Sequence, residues 1–432
     1  MSFVIGNVSD SNIPSSVYSA INSNKAKVYG VKFSGNPGDF AGERLYDSKD
    51  IKWTPSTYTT AGVDGFANLA PFNVKQCITR YNPTTGKREF VAYKGEDGYD
   101  AALKEDNTDV LIEFPKFYYK RPSNYEWLVS DQYISGFSPS PMHYRNGVMH
   151  DYVRISKYVI NSTYRSIPDS YAADQPGSTS WSETEPASAS NIHTLHQYRT
   201  NLRARGMYVL DYAAYCSLQI LMLVKYANLD ISNTVGLGNY GTTGSTSTGL
   251  KTGSGDSLAT MDGGDTTAAG KAVVTLGIEN LYGDHWNKVE GIVKGTDGYL
   301  YINTDIENIT GWPSTDLTGW TKIPNAIMSS GNAAFLNDIA YDSTCPWATF
   351  PVASPVSDQA SSRIPDGQWW ADNGQLRMVH MGGSRYAHSV GLGGPFYFNA
   401  NNVLSNANWN NGCGALVYLF FLLMMGVSRF HT

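Results

Sequence analysis

Three acids, Glu279, Asp284 and Glu290, lie close together along the chain. Such a set is the raw material of glycoside hydrolysis. In that reaction one carboxylic acid protonates the leaving oxygen, and a carboxylate attacks or activates water. Spacing along a chain does not fix the separation in space, so hydrolysis and a framework role both stay open. His193 and His196 are three apart, but no HExxH accompanies them. Surface positions at the start of a helix are expected for both. Cys77, Cys216, Cys345 and Cys413 are far apart with no CxxC spacing, which leaves no zinc or redox motif and predicts free buried thiols. Gly264 to Lys271 resembles a phosphate loop superficially. It has five residues between its glycines and Ala272 in place of the hydroxyl residue, so it fails. No Gly-x-Ser-x-Gly elbow occurs. No catalytic residue, metal or cofactor is expected.

The last sixty residues are different. Ala371 to Thr432 holds one acid, Asp372, and three arginines, Arg377, Arg385 and Arg429. Asn399, Asn401, Asn402, Asn406, Asn408, Asn410 and Asn411 fall within thirteen residues. Phe396, Tyr397, Phe398 and Trp409 are interleaved with them. Asn side chains tolerate left-handed backbone and bond to their own main chain. A dense run of them holds a loop in shape without regular structure. Aromatic and aliphatic side chains carried on it are then placed to meet a partner. An ordinary loop that fixes itself and touches nothing is the alternative.

The elements that must position this segment are mostly strands. Lys27 to Lys32 alternates polar and apolar residues, as a half-buried strand does. Val110 to Phe114 and Lys116 to Lys120 flank Pro115, which suits an edge strand or a bulge. Turns are expected at Asn36-Pro37-Gly38, Asn82-Pro83 and Glu96-Asp97-Gly98. Residues 168 to 190 read as a linker rich in Ser, Pro, Ala and Glu. Asp211 is a candidate N-cap for a helix through Val224 that is buried on most sides, and Leu195 to Arg205 is a more amphipathic helix. Residues 236 to 270 read as a surface loop, and 311 to 370 as irregular loops. The apolar run Ala415 to Met425 is 11 residues long, short of the roughly 20 that span a bilayer, and reads as a buried terminal strand.

With 432 residues the chain has room for two or three domains. Its 29 Tyr and 42 Gly fit either a paratope-like binding surface or a β-rich protein full of turns. Net charge is −6 with no dense Lys/Arg block, so nucleic acid and membrane insertion are not expected. No secretory signal is visible at Met1 to Val4, so a route outside the cell by virion assembly and lysis is expected.

Three pieces of the C-terminal segment carry a family resemblance. Gly382-Gly383-Ser384, Gly394 to Asn402, and Ser405 to Gly412 resemble the variable region of diversity-generating-retroelement proteins, the family of phage receptor-binding proteins that includes the tropism determinants. Arg203 to Met207 with the following helix, and Gly277 to Trp286, are similar to the formylglycine-generating-enzyme-like branch of the same fold. Glu113 to Lys120 and Gly136 to Gly147 are similar to prophage tail proteins of this kind. The resemblance runs from about residue 110 to the end. Arg385 to Gly393 is longer, and the strand after Gly412 more apolar, than the family pattern.

The resemblance implies an α+β fold. A β-rich attachment and oligomerisation region over 1–165 would precede a C-type-lectin-like domain over 166–432, with long irregular loops and a variable segment at about 382–412. It implies a non-enzymatic adhesin of the phage tail tip or fibre, in a virion, that binds a bacterial surface protein or glycan. Other phage tail proteins and a homotrimeric assembly are the further partners implied. Candidate ligand contacts are Arg385, Tyr386, His388, Ser389, Val390, Leu392, Tyr397, Val403, Leu404, Trp409 and Asn411. A glycan-cleaving tail enzyme and a purely structural tail component are the alternatives.

Overall fold

The structure, a computed structural model, describes residues 26–168, 193–239, 249–309, 317–324, 331–339, 341–352, 356–370, 374–383, 393–407 and 411–418. Strands dominate, and helices are few. The alternation read at Lys27 to Lys32 becomes the strand Tyr29–Phe33, with Tyr29, Val31 and Phe33 turned into the core. It pairs antiparallel with Gly42–Tyr46 on one side and Glu126–Ser130 on the other. Tyr118–Ser123 and Ser138–Pro139 complete this five-stranded first sheet.

The second sheet has six strands, in the order Tyr208–Val209, Ala415–Tyr418, Tyr152–Ser156, Thr108–Pro115, Lys75–Asn82, Lys87–Tyr93. Thr108–Pro115 is therefore an interior strand, not the edge or bulge expected around Pro115. Pro115 is its last residue, opposite Tyr152. Its missing N–H consequently falls at the strand's end, where a ladder bond is least needed. Ala415–Tyr418 bears out the start of the expected terminal strand; residues 419–425 lie outside the described residues. Strands from both sides of residue 165 join in this one hydrogen-bonded ladder, the two later ones adjacent at one end.

The third sheet has eight strands. Its centre is Trp286–Lys294, which pairs antiparallel with Leu300–Ile302 and Arg377–Met381 and parallel with Asn411–Cys413. Beyond Arg377–Met381 come Phe398–Ala400, Ile364–Trp370 and Gly331–Leu336. The expectation of irregular loops over 311–370 is corrected here. Part of that stretch forms strands, where Ile364 and Trp370 lie on a pleated buried face, while Trp347 sits buried in a turn.

The helix Tyr212–Tyr226 packs against Tyr29–Phe33 and Glu126–Ser130 on one side and Trp286–Lys294 on the other. Asp211 caps it, accepting from Ala214 N at 2.7 Å. Every helical residue is buried, as its near-continuous apolar run requires. Each buried Leu, Ile, Met or Val there contributes about 1.5–3 kcal/mol over an exposed one. Lys225, buried in the last turn, is held by Asp64 at 2.8 Å and Asp262 at 2.6 Å. The second helix, Leu195–Arg203, opens with a Thr194–Gln197 capping box.

The stretch 236–270 is irregular as expected but only partly a surface loop; residues 240–248 lie outside the described residues. Gly236 to Asn239 are buried, and Gly263 bridges both Ser56 and Val274. Its small residues permit close approach of backbones, which composition alone reads as flexibility. Among the described residues no helix is long and apolar enough to cross a membrane.

Candidate functional site

All three recognisable pieces of the amide-rich segment are anchored in the third sheet. Arg377–Met381 leads into Gly382 and Gly383, Phe398–Ala400 pairs with it, and Asn411–Cys413 joins the sheet beside Trp286–Lys294. Between these anchors the chain is held by hydrogen bonds of its own. Asn401 N donates to Asn399 Oδ1 at 2.8 Å, and Asn411 Nδ2 donates to Asn406 Oδ1 at 2.6 Å. Asn406 N donates to Val403 O at 2.9 Å, and Met378 N donates to Asn402 O at 3.0 Å. Arg377 Nη1 donates to Asn401 O at 2.7 Å.

Groups outside the segment hold its base. Phe396 N donates to Asp366 Oδ2 at 2.6 Å, and Gln219 Nε2, from the long helix, donates to Pro395 O at 2.7 Å. Gly382 has φ 87°, and a Cβ there would lie 2.5 Å from Leu281 O. At Gly394 a Cβ would lie 2.1 Å from Asp366 Oδ1. Beneath, Trp286 stacks on His380 at 6.0 Å and on Tyr397 at 6.4 Å between ring centroids. Burial pushes the Asp366 carboxyl well above the usual carboxylate range and pushes the His380 imidazole well below its usual range. Burial thus disfavours the charged forms of both groups, which suits holding a shape more than moving protons.

The candidate contacts divide into three groups. Val403 is exposed and Leu404 half-buried, on a stretch from Asn401 to Ala407 in which Ser405 is also exposed and the others are half-buried. Tyr397 and Asn411 are corrections, since both are buried in the protomer. Tyr397 packs under the segment against Trp286, and Asn411 is a strand residue paired opposite Trp286. Both support the surface and do not form it. Arg385, Tyr386, His388, Ser389, Val390, Leu392 and Trp409 lie outside the described residues. The sequence reading missed the supports Asp366, His380 and Gln219. A lone Gln inside the apolar run Leu218 to Val224 was the one available signal.

The acids weighed for hydrolysis are each tied to a structural partner. Glu279 accepts from Gly253 N at 2.9 Å and Gly255 N at 2.7 Å; Asp284 accepts from Asn239 Nδ2 at 2.8 Å; Glu290 pairs with Arg199. All three are buried. His193 is buried against Tyr164, with ring centroids 4.6 Å apart, and not at the surface as expected. All four cysteines are buried thiols. Among the described residues no group of three or more His, Cys, Asp and Glu is placed to hold a metal ion.

No family model matches this chain, and no curated protein matches it. Among solved structures, the U1 variant of the Major Tropism Determinant overlays with a TM-score of 0.27 at 11% identity, covering 80% of this chain and 72% of that one. The I1 variant gives 0.28 at 11%, with the same coverage. The M1 variant gives 0.27 at 10%, covering 80% and 71%.

Proposed function

We propose that this chain is a non-enzymatic phage tail adhesin that recognises a bacterial surface protein or glycan through side chains carried on 382–412. One observation carries this reading. An amide-rich segment is pinned at three places to one buried sheet and braced by its own Asn side chains, while Val403 and Ser405 between the braces are exposed. Such a frame tolerates exchange of its outward side chains, because its backbone is fixed by groups other than those side chains. The sequence resemblance to retroelement-diversified receptor-binding proteins supports the same conclusion and brings with it a C-type-lectin-like fold, a virion location and a homotrimer. In a trimer, weak single-site binding is multiplied by simultaneous engagement.

Adsorption of purified protein to host cells tests the reading, with Tyr386→Ala, Val403→Ala and Trp409→Ala compared with the unaltered chain. Loss of an aromatic anchor from a binding surface costs about 2 kcal/mol or more, hence roughly thirty-fold in affinity. Adsorption unchanged in all three folded variants would remove 382–412 as the binding surface.

A further inference from the structure

A polar groove shares no lining residue with the amide-rich segment. It is formed by the strand Lys75–Asn82, the short helix Tyr99–Ala102, Lys157 and Tyr158, and the turn from Thr252 to Met261. Two cavities of about 420 and 310 Å³ adjoin there, with Gln76, Lys94 and Asp256 lining both. Each is within the roughly 300–1,000 Å³ of small-molecule sites.

The wall between them is one chain of hydrogen bonds. Gln76 Nε2 donates to Tyr99 Oη at 2.5 Å, and Lys157 Nζ donates to Gln76 Oε1 at 2.8 Å. Lys157 Nζ also meets Asp256 Oδ1 at 2.6 Å, and Tyr158 Oη donates to Asp256 Oδ2 at 2.7 Å. Behind this wall the buried Glu279 carboxyl holds Gly253 N and Gly255 N, which fixes the turn that carries Asp256. The polar atoms are therefore set in place before any ligand arrives, and binding costs little ordering. Spare capacity remains. The Asp256 side chain is 34% exposed, and a carboxylate has about four lone-pair sites. Gln76 keeps one amide N–H, and Lys94 is exposed at the rim.

Charge selects the class of ligand. At the two cavities Lys157 is paired with Asp256, and Asp64 with the buried Lys225. An ionised ligand meets charges already committed to one another within the wall. A ligand of many hydroxyls does gain, because each hydroxyl both donates and accepts and meets fixed partners of both kinds. Leu103, Pro168, Leu258 and Met261 supply apolar wall for the C–H faces of such a molecule. We propose that this groove is a second ligand site, built for a short neutral saccharide.

Saturation-transfer NMR on the full chain, with the methyl glycosides of glucose, galactose, mannose and N-acetylglucosamine as probes, tests this. At least one glycoside is expected to bind with a roughly millimolar Kd, the scale of a single small polar site. Asp256→Asn and Lys94→Ala should each weaken it about ten-fold. Lys94 lies at the rim, so its variant reports even where Asp256→Asn disturbs the buried Lys157. Trp409→Ala should leave the signal unchanged, which separates this site from the adhesin surface proposed above. The proposal falls if no probe transfers saturation, if binding survives both groove substitutions, if Trp409→Ala alone abolishes it, or if only methyl glucuronide, added as a charged control, binds.

Discussion

Lys288 carries the sharpest consequence at the scale of single residues. It belongs to a polar row crossing four strands, in which Cys413, Lys288, His380 and Asn399 are successive cross-strand neighbours. All four are fully buried, and among the described residues Lys288 Nζ has no hydrogen-bond partner. Burial pushes its pKa down to about 7. The unfolded chain keeps that proton to about pH 10.4, so above about pH 7 the unfolded state holds more protons than the native one. Stability from this group therefore rises with pH through that window, by about 1.4 kcal/mol per unit. Glu279 acts with the opposite sign. Its folded pKa is raised from 4.5 to about 8, so its contribution falls as pH rises between those values. The difference between variant and unaltered protein isolates Lys288. Lys288→Met replaces an unpaired amine with an apolar chain of similar length, and should raise the urea midpoint most at about pH 6 and least at about pH 9. A gain of the same size at both values would mean that this amine is not held unpaired in solution.

At the scale of elements, the frame of the amide-rich segment depends on backbone closeness that few side chains permit. Gly394→Ala would drive a Cβ into the Asp366 carboxyl that holds Phe396 N. It should cost about 2 kcal/mol or more in a urea titration, in the range of strain at a special backbone site. Ser405→Ala, on the exposed stretch, should stay within about 0.5 kcal/mol. Equal effects at the two positions would deny the division into frame and surface. This division was half legible in the sequence. The Asn run, the N-cap Asp211 and the buried helix follow from local chemistry and periodicity, and all three are present. Tyr397 and Asn411 were misread because their types suit a binding surface, while their burial depends on Trp286, more than a hundred residues away in sequence. Asp366 and His380 gave no sign, since a partner across a sheet leaves no mark on local spacing. The strands within 311–370 were hidden for a related reason. Ile364–Trp370 pairs with Phe398–Ala400 and with Gly331–Leu336, each about thirty residues away, and Pro and Ser nearby read locally as loop.

At the scale of the whole molecule, the chain's two halves share both sheet and core. Ala415–Tyr418 is inserted between Tyr152–Ser156 and Tyr208–Val209, so a strand from beyond residue 400 closes a ladder begun before residue 165. One hydrophobic cluster runs from Tyr29 through the long helix to Tyr418. Leu416 lies fully buried in that cluster. Leu416→Ala should cost about 2–5 kcal/mol, as large-to-small changes in a core do. The informative quantity is where that cost is felt. If the halves unfold as one unit, amide hydrogen exchange in Thr108–Pro115 and in Trp286–Lys294 should accelerate by the same free energy, because both strands open only with the global transition. If residue 165 instead separates two independently stable bodies, protection should fall unequally in the two strands. Equal loss would also mean that the binding surface proposed on the third sheet reports on the integrity of the first two. A substitution near the amino-terminal strands would then weaken adsorption through stability alone, with no contact to the ligand.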